Sequence, residues 1–239
     1  MPYEVLNRKP QNNKVDIFSL GLIFYYAYSY GKHPFGEEGY ERYNNINYSK
    51  PPSLSYVNNN FLLKSLLNGM LSHSVSDRFD CSLVLRHPFF WDTTQKLQFL
   101  HQLHNSLSIP QNKSKFIHSL FRFKYSWTTV IDQKVKKNFA LFYFFFKFNF
   151  FIFLKLLDHI EKQRKYKFGD KKEPLDLLRV IRNIYEHWFP YSRDFPEIFG
   201  ENKEKLFYYF DSLFPDFLAS MWERVKEIDY FSNINLKFV

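Results

Sequence analysis

A single cysteine, Cys81, in 239 residues excludes an internal disulfide framework and points to a reducing compartment. Acidic residues are in deficit: 24 Asp and Glu stand against 33 Lys and Arg, a formal charge of +9. That balance favours a polyanionic partner such as RNA, or an anionic membrane surface. The N-terminus, Met1-Pro2-Tyr3-Glu4, lacks the basic stretch and apolar run of a signal peptide. No run alternates with period two for long enough to make a sheet, and no repeat of solenoid length is present. What remains is a chain of ordinary hydrophobicity, 45%, able to bury a core as one large domain or two small ones. Its aromatic share, 21%, is high, and much of the excess sits in one stretch.

Helical spacing accounts for most of the chain, so the expected class is mainly α. Ile17, Leu20, Gly21, Phe24 and Ala27 predict a buried helix over 14–30, with Asp16 or Ser19 able to cap its start; Gly31 and Pro34 end it. The pattern returns at Phe61–Met70, at Ser82–Leu85 before His87-Pro88, and at Thr93–Leu107. Residues 108–114 read as a loop, and further helices are expected near 115–122, 174–188, 203–213 and 214–229. Trp127, Trp188 and Trp222 suit core anchors better than base-stacking platforms. His73, His101, His104, His118 and His159 show no metal-ligand spacing, so no metal site is expected.

Phe139–Leu154 is apolar almost throughout, broken only by Lys147 and Asn149. As a helix it would reach about 24 Å, short of the roughly 30 Å of a bilayer core. An interfacial position stays open, but a membrane span does not fit. Its Phe, Lys, Asn, Ile, Leu and Tyr are what AT-rich codons encode, and Val135 and Lys155 allow the usual intron boundaries. Residues 135–155 are therefore expected to be a translated intron or, if present in the protein, a poorly packed excursion.

The stretch from Asp176 to Trp188 carries the chemistry. At about 100° per residue, Leu177, Ile181, Ile184 and Trp188 form a narrow apolar stripe. Arg179, Arg182, Asn183, Glu186 and His187 fall on the opposite side, across an arc of roughly 140°. A guanidinium holds phosphate with a fork of donors, and an imidazole, titrating near ~6.5, can protonate a leaving oxygen. The set suits RNA cleavage by the 2′-hydroxyl, for which no metal is required. The same face could equally be a solvated helix surface.

Several short motifs then occur in a telling order. Pro2-Tyr3-Glu4 resembles the end of a protein-kinase activation segment, and Asp16-Ile17-Phe18-Ser19-Leu20-Gly21 the opening of the long central helix of the kinase C-lobe. Lys32-His33-Pro34-Phe35-Gly36, Asp77-Arg78 and His87-Pro88-Phe89-Phe90 follow at matching distances. The resemblance implies a partial kinase-like C-lobe over 1–91, in which Glu4 pairs with Arg78 and Asp16 holds backbone, all structural roles. The sequence has no Gly-rich phosphate loop, lysine of the Val-Ala-Ile-Lys type, His-Arg-Asp loop or Asp-Phe-Gly ligand. Neither an ATP/Mg site nor kinase activity is expected of it.

His87 to Trp91 followed by Gln95-Lys96-Leu97-Gln98-Phe99-Leu100 resembles the junction between kinase lobe and nuclease extension. That junction belongs to the unfolded-protein-response sensor kinase–ribonucleases (the inositol-requiring enzyme family) and ribonuclease L. The resemblance continues through Trp127, through Asp176 to Asn183 with His187, and through Phe207 to Pro215. It implies an all-helical kinase-extension nuclease domain over 92–239, a cofactor-free endoribonuclease leaving 2′,3′-cyclic phosphate and 5′-hydroxyl ends. Its general acid would be His187, with Arg182 and Asn183 positioning the phosphate. Tyr166 would help activate the 2′-hydroxyl, although its spacing to Asp176 is a few residues longer than the family's. Arg179, Lys165 and Lys167 would contact RNA. Homodimerisation through the nuclease domain is implied, in the cytoplasm or on the cytosolic face of the endoplasmic reticulum. The competing expectations are an inactive fragment or protein-interaction module, and a membrane-associated protein anchored by 139–154.

Overall fold

The computed structural model describes residues 1–107, 152–162, 174–200 and 202–226. All regular structure among them is helical. In chain order the helices are α1 (Tyr3–Leu6), α2 (Lys14–Tyr28), α3 (Gly39–Asn47), α4 (Phe61–Met70), α5 (Cys81–Leu85) and α6 (Thr93–Ser106). Then come α7 (152–162), α8 (Pro174–Glu186), α9 (Trp188–Asp194), α10 (Pro196–Phe199), α11 (Glu204–Leu213) and α12 (Phe217–Val225). The described residues form two compact units, one of Met1–Asp92 with Pro215–Lys226, the other drawn from Thr93–Phe214. The first unit is thus discontinuous in sequence, completed by α12.

In the first unit α2 packs on α4. The contact is close because Gly21 has no side chain: a Cβ there would stand 3.0 Å from both Met70 and Leu71. Phe18 and Tyr25 of α2 meet Leu63, Leu67 and Leu71 with Phe35, Ile46, Leu54 and Val57, while Ile17, Leu66, Met70, Phe79 and Val84 form a second cluster. Each large apolar side chain so buried contributes about 1.5–3 kcal/mol. Neither Asp16 nor Ser19 caps α2. Asp16 lies exposed in its first turn, the Ser19 hydroxyl donates back to the Val15 carbonyl, and Asn12 Oδ1 accepts from the Lys14 N–H at 3.0 Å. Caps do hold α4, where Asn60 accepts from the Leu63 N–H, and α5, where Asp80 accepts from the Leu83 N–H.

One buried ion pair ties the ends of this unit's chain together. Arg78 donates to both carboxylate oxygens of Glu4 at 2.6 and 3.1 Å, and to the carbonyls of Lys14, Ser72 and His73. All five of its N–H groups are engaged, with the side chains 0% and 3% exposed. A second polar chain seats α12. The His87 Nδ1 accepts from the Phe89 N–H, which fixes Nε2 as the protonated nitrogen facing Ser65 Oγ at 3.1 Å. Ser65 in turn donates to Glu223 of α12, and Trp222 packs its edge against His87 and Trp91.

In the second unit α6 and α8 make the most extensive helix pairing, with α11 against both. Leu97, Phe99, Leu100 and Leu103 of α6 are buried, as are Leu177, Leu178, Val180, Ile181 and Ile184 of α8. The buried arc of α8 is therefore wider than the four-residue stripe read from sequence. The expected 174–188 helix also divides. Pro190 has no N–H, and its ring collides with the carbonyl four residues earlier, that of Glu186. So α8 ends there, and Pro190 sits in the first turn of α9, where free N–H groups are normal.

The expected poor packing of 135–155 fails at its C-terminal end. Ile152 and Phe153 are buried in α7, Phe153 lying edge-on to Phe210 and Phe214 at 6.0 and 5.9 Å. Residues 135–151, and with them most of the apolar stretch, lie outside the described residues, as do the expected loop 108–114, the helix near 115–122 and Trp127. Short helices α1, α3, α9 and α10 carried no strong periodic signal; α3 buries only Ile46. Among the described residues no helix is long and apolar enough to cross a membrane.

Candidate functional site

The polar side chains of α8 meet a second set from α6, and together they make a charged seam on the second unit. Arg182 is its centre. The guanidinium donates from Nε to Asn105 Oδ1 at 3.3 Å and from Nη1 to Asn183 Oδ1 at 3.0 Å, and its Nη2 lies 2.7 Å from Glu186 Oε2. The other carboxylate oxygen of Glu186 is 2.9 Å from His101 Nε2. Asn105 also lies within reach of His101, at 3.3 Å. Four neutral or cationic groups and one carboxylate thus hold one another in a fixed arrangement.

Arg182 and Asn183 are adjacent in space as well as in sequence, but Asn183 is not on an open surface. It is only 8% exposed, and its amide oxygen is an internal support for the guanidinium. The reason is the wider buried arc of α8, which reaches Val180 on the same side. His187 is one residue beyond the helix, with non-helical dihedrals of −107° and 44°, and its N–H still donates to the Asn183 carbonyl at 3.0 Å. Its side chain is exposed. The imidazole is therefore reachable by a large substrate, whereas the Asn183 amide is not.

Electrostatics follow from this packing. Desolvation pushes the Glu186 pKa up, but the His101 hydrogen bond and the charges of Arg182, His101 and His187 outweigh it and hold it below the ordinary carboxylate value. Glu186 is thus ionised at neutral pH. His104, one helical turn beyond His101 on α6, has its pKa lowered, first by burial and then by the charges of Arg182 and Arg179. Arg179 pairs with Asp176 at 3.7 Å, three residues earlier on the same helix. Tyr185 packs its ring 5.1 Å from that of His101, and the Lys203 ammonium lies 4.7 Å from the Tyr185 ring centre.

Of the residues read from sequence, Arg179, Arg182, Asn183 and His187 lie on this one stretch of chain. Tyr166, Lys165 and Lys167 lie outside the described residues. Glu4 and Arg78 form their ion pair in the other unit. The sequence reading passed over His101 and Asn105, because it asked only whether histidines had ligand spacing. Their signal was His101, His104 and Asn105 at helical offsets of three and four, which place them on one side of the helix. Among the described residues no cluster of His, Cys, Asp or Glu is suited to hold a metal ion.

Comparison with known proteins bears on the same stretch. The model of the family described as Ribonuclease 2-5A matches residues 96–235, which include α8 and α6 from Lys96 onward. The chain is 28% identical over 240 residues to the serine/threonine-protein kinase/endoribonuclease IRE1b of Arabidopsis thaliana, covering 96% of the chain and 24% of that relative. It is 29% identical over 229 residues to the sensor for unfolded proteins in the ER ire1 of Schizosaccharomyces pombe, covering 92% and 19%. To the serine/threonine-protein kinase/endoribonuclease IRE1 of Oryza sativa subsp. japonica it is 30% identical over 238 residues, covering 94% and 23%. The chain thus spans about a fifth to a quarter of the length of these relatives.

Proposed function

The chain belongs to the ribonuclease 2-5A family, and on that premise we propose that it is a metal-independent endoribonuclease. The observation that carries the reading is the clamped Arg182 beside Asn183, with an exposed His187 five residues further along the same family-matched stretch. An RNA 2′-hydroxyl attacks its own phosphorus, and the bond from phosphorus to the 5′-oxygen breaks. Arg182 holds the non-bridging oxygens and offsets the charge that builds on them, with Asn183 fixing the guanidinium. His187 gives its proton to the departing 5′-oxygen. The 2′-hydroxyl proton passes to a base, for which Tyr166 is the candidate. The products are a 2′,3′-cyclic phosphate and a 5′-hydroxyl. Arg179, Lys165 and Lys167 contact the RNA backbone.

In the same reading residues 1–91 are a kinase-like C-lobe remnant that serves as scaffold and performs no phosphoryl transfer. Residues 92–239 are the nuclease, acting as a homodimer in the cytoplasm or at the cytosolic face of the endoplasmic reticulum. The test is incubation of the purified chain with a stem-loop RNA, with and without EDTA, followed by analysis of the new ends. Cyclic phosphate ends formed equally in EDTA are expected, with His187→Ala slower by about 10²–10⁴-fold. Cleavage abolished by EDTA, or full activity in His187→Ala, would remove the mechanism.

A further inference from the structure

We propose that Glu186 occupies the phosphate-binding donors of Arg182 when no RNA is bound, and that His101 takes the carboxylate over when RNA arrives. This rests on the reading of the α6–α8 seam as the RNA-cleaving site. An arginine has five N–H groups. Asn105 and Asn183 each accept one, while Glu186 Oε2 is ion-paired with Nη2 at 2.7 Å, so among the described residues the amides leave N–H groups on both terminal nitrogens, with the carboxylate lying against one of them. Two of the three partners are neutral amides that orient the guanidinium without cancelling its charge. Glu186 is different: it is a carboxylate, the side-chain group closest in shape and charge to a phosphate edge, and it sits on the same end of the fork.

A phosphate drawn to the remaining donors brings its negative charge beside that carboxylate, and like charges on one small cation repel. The carboxylate has a second anchor in place, since its other oxygen is already 2.9 Å from His101 Nε2. Release from Arg182 therefore leaves Glu186 held by His101, with the added positive charge of His187 nearby. The arrangement makes the resting site self-neutralised and gives Glu186 a gating role in phosphate affinity. It is a positioning residue, and it touches no reacting atom.

The test uses the full chain and a stem-loop RNA carrying a 2′-deoxy substitution at the cleaved position, so that binding is read without turnover. Glu186→Gln keeps the shape and the hydrogen-bonding capacity while removing the charge. It should tighten binding about fivefold or more. The slope of log affinity against log salt should steepen by about 0.7, the value for one further single-strand phosphate neutralised. Both effects should vanish when Arg182→Ala is present as well, as a double-mutant cycle requires for a coupling between the two side chains. His101→Ala should act in the opposite direction, weakening binding by leaving the carboxylate wholly on Arg182. Equal or weaker binding by Glu186→Gln, with Arg182→Ala still weakening it, overturns the gate and leaves the RNA site standing. No change in binding on Arg182→Ala removes the RNA site and the gate together.

Discussion

The ion pair between Glu4 and Arg78 gives a prediction whose size can be worked from its geometry. Replacing Arg78 by Met removes five donors and one charge while keeping much of the volume. It strands a carboxylate whose side chain is 3% exposed. That carboxylate cannot stay charged cheaply in a dry site, so at neutral pH it takes up a proton instead. Moving a carboxyl of ordinary pKa about 4.3 to its neutral form at pH 7 costs about 3.7 kcal/mol, and this caps the electrostatic part of the loss. The expected destabilisation at pH 7 is therefore about 3–5 kcal/mol, in the range for breaking one side of a buried pair. Because the cost is the cost of protonation, it shrinks by about 1.4 kcal/mol for each pH unit of acidification towards 4.3. The native protein behaves oppositely. Desolvation raises the Glu4 pKa, but the Arg78 hydrogen bond and charge outweigh it and leave the pKa lowered. The pair's stabilisation is thus complete above the unfolded carboxyl pKa and fades as pH falls through the folded one. Urea unfolding of the native chain, Arg78→Met, and Glu4→Gln with Arg78→Met at pH 7 and pH 5 would measure all of this. The double variant should recover most of the loss, since an uncharged pair of similar volume leaves no carboxylate to protonate. A cost for Arg78→Met below about 1 kcal/mol, or one unchanged between the two pH values, would refute the reasoning.

Four further outcomes are expected. Phe153→Ala should cost about 3–5 kcal/mol in urea unfolding, because its ring is fully buried against Phe210 and Phe214; a neutral result would mean that the end of the apolar stretch is not part of the core. Asn183→Ala should cost about 1–3 kcal/mol and also slow RNA cleavage, since Arg182 loses a buried acceptor. His187→Ala, at an exposed position, should by contrast leave thermal unfolding unchanged. Burial first, and then the Lys226 charge, push the His87 pKa down to about 3. Its folded pKa lies below its unfolded one, so stability is full above pH ~6.5 and falls by about 1.4 kcal/mol per pH unit below it; His87→Asn should lose that part of the acid slope in urea titrations.

Legibility of the fold tracked how strongly each helix depends on its own apolar spacing. α4 was read to its ends because Leu63, Leu66, Leu67 and Met70 repeat at helical intervals and all four are fully buried. α3 was not read, because its one buried side chain, Ile46, gives no period. The start of α2 misled for another reason. Asp16 and Ser19 have the right chemistry to cap, but capping depends on which residue leaves helical geometry first, and that is decided by the Asn12–Asn13 turn. Pro190 held the information for the break after Glu186 in plain sight, through a collision four residues upstream that a period-based reading does not look for.

The site was half legible for a physical reason that goes beyond patterning. A helical wheel reports which residues share a side of one helix, and it grouped Arg182, Asn183, Glu186 and His187. It cannot report what the neighbouring helix brings. Asn183 looked like a second phosphate donor on the wheel, yet its burial turns the amide inward, so that its oxygen serves Arg182. Glu186 looked like one more surface acid, yet His101 and Arg182 hold it from two sides. The functional consequence is that the chemistry of this seam belongs to the pair of helices, and that a substitution on α6 should alter the behaviour of arginine on α8. Asn105→Ala is the plainest case: it touches no residue of the α8 motif except Arg182 Nε, at 3.3 Å. It should leave the helices packed, because its side chain is exposed, and still weaken phosphate positioning. A normal melting temperature with slower cleavage is the expected result, and unchanged cleavage would show that Asn183 and Glu186 alone suffice to aim the guanidinium.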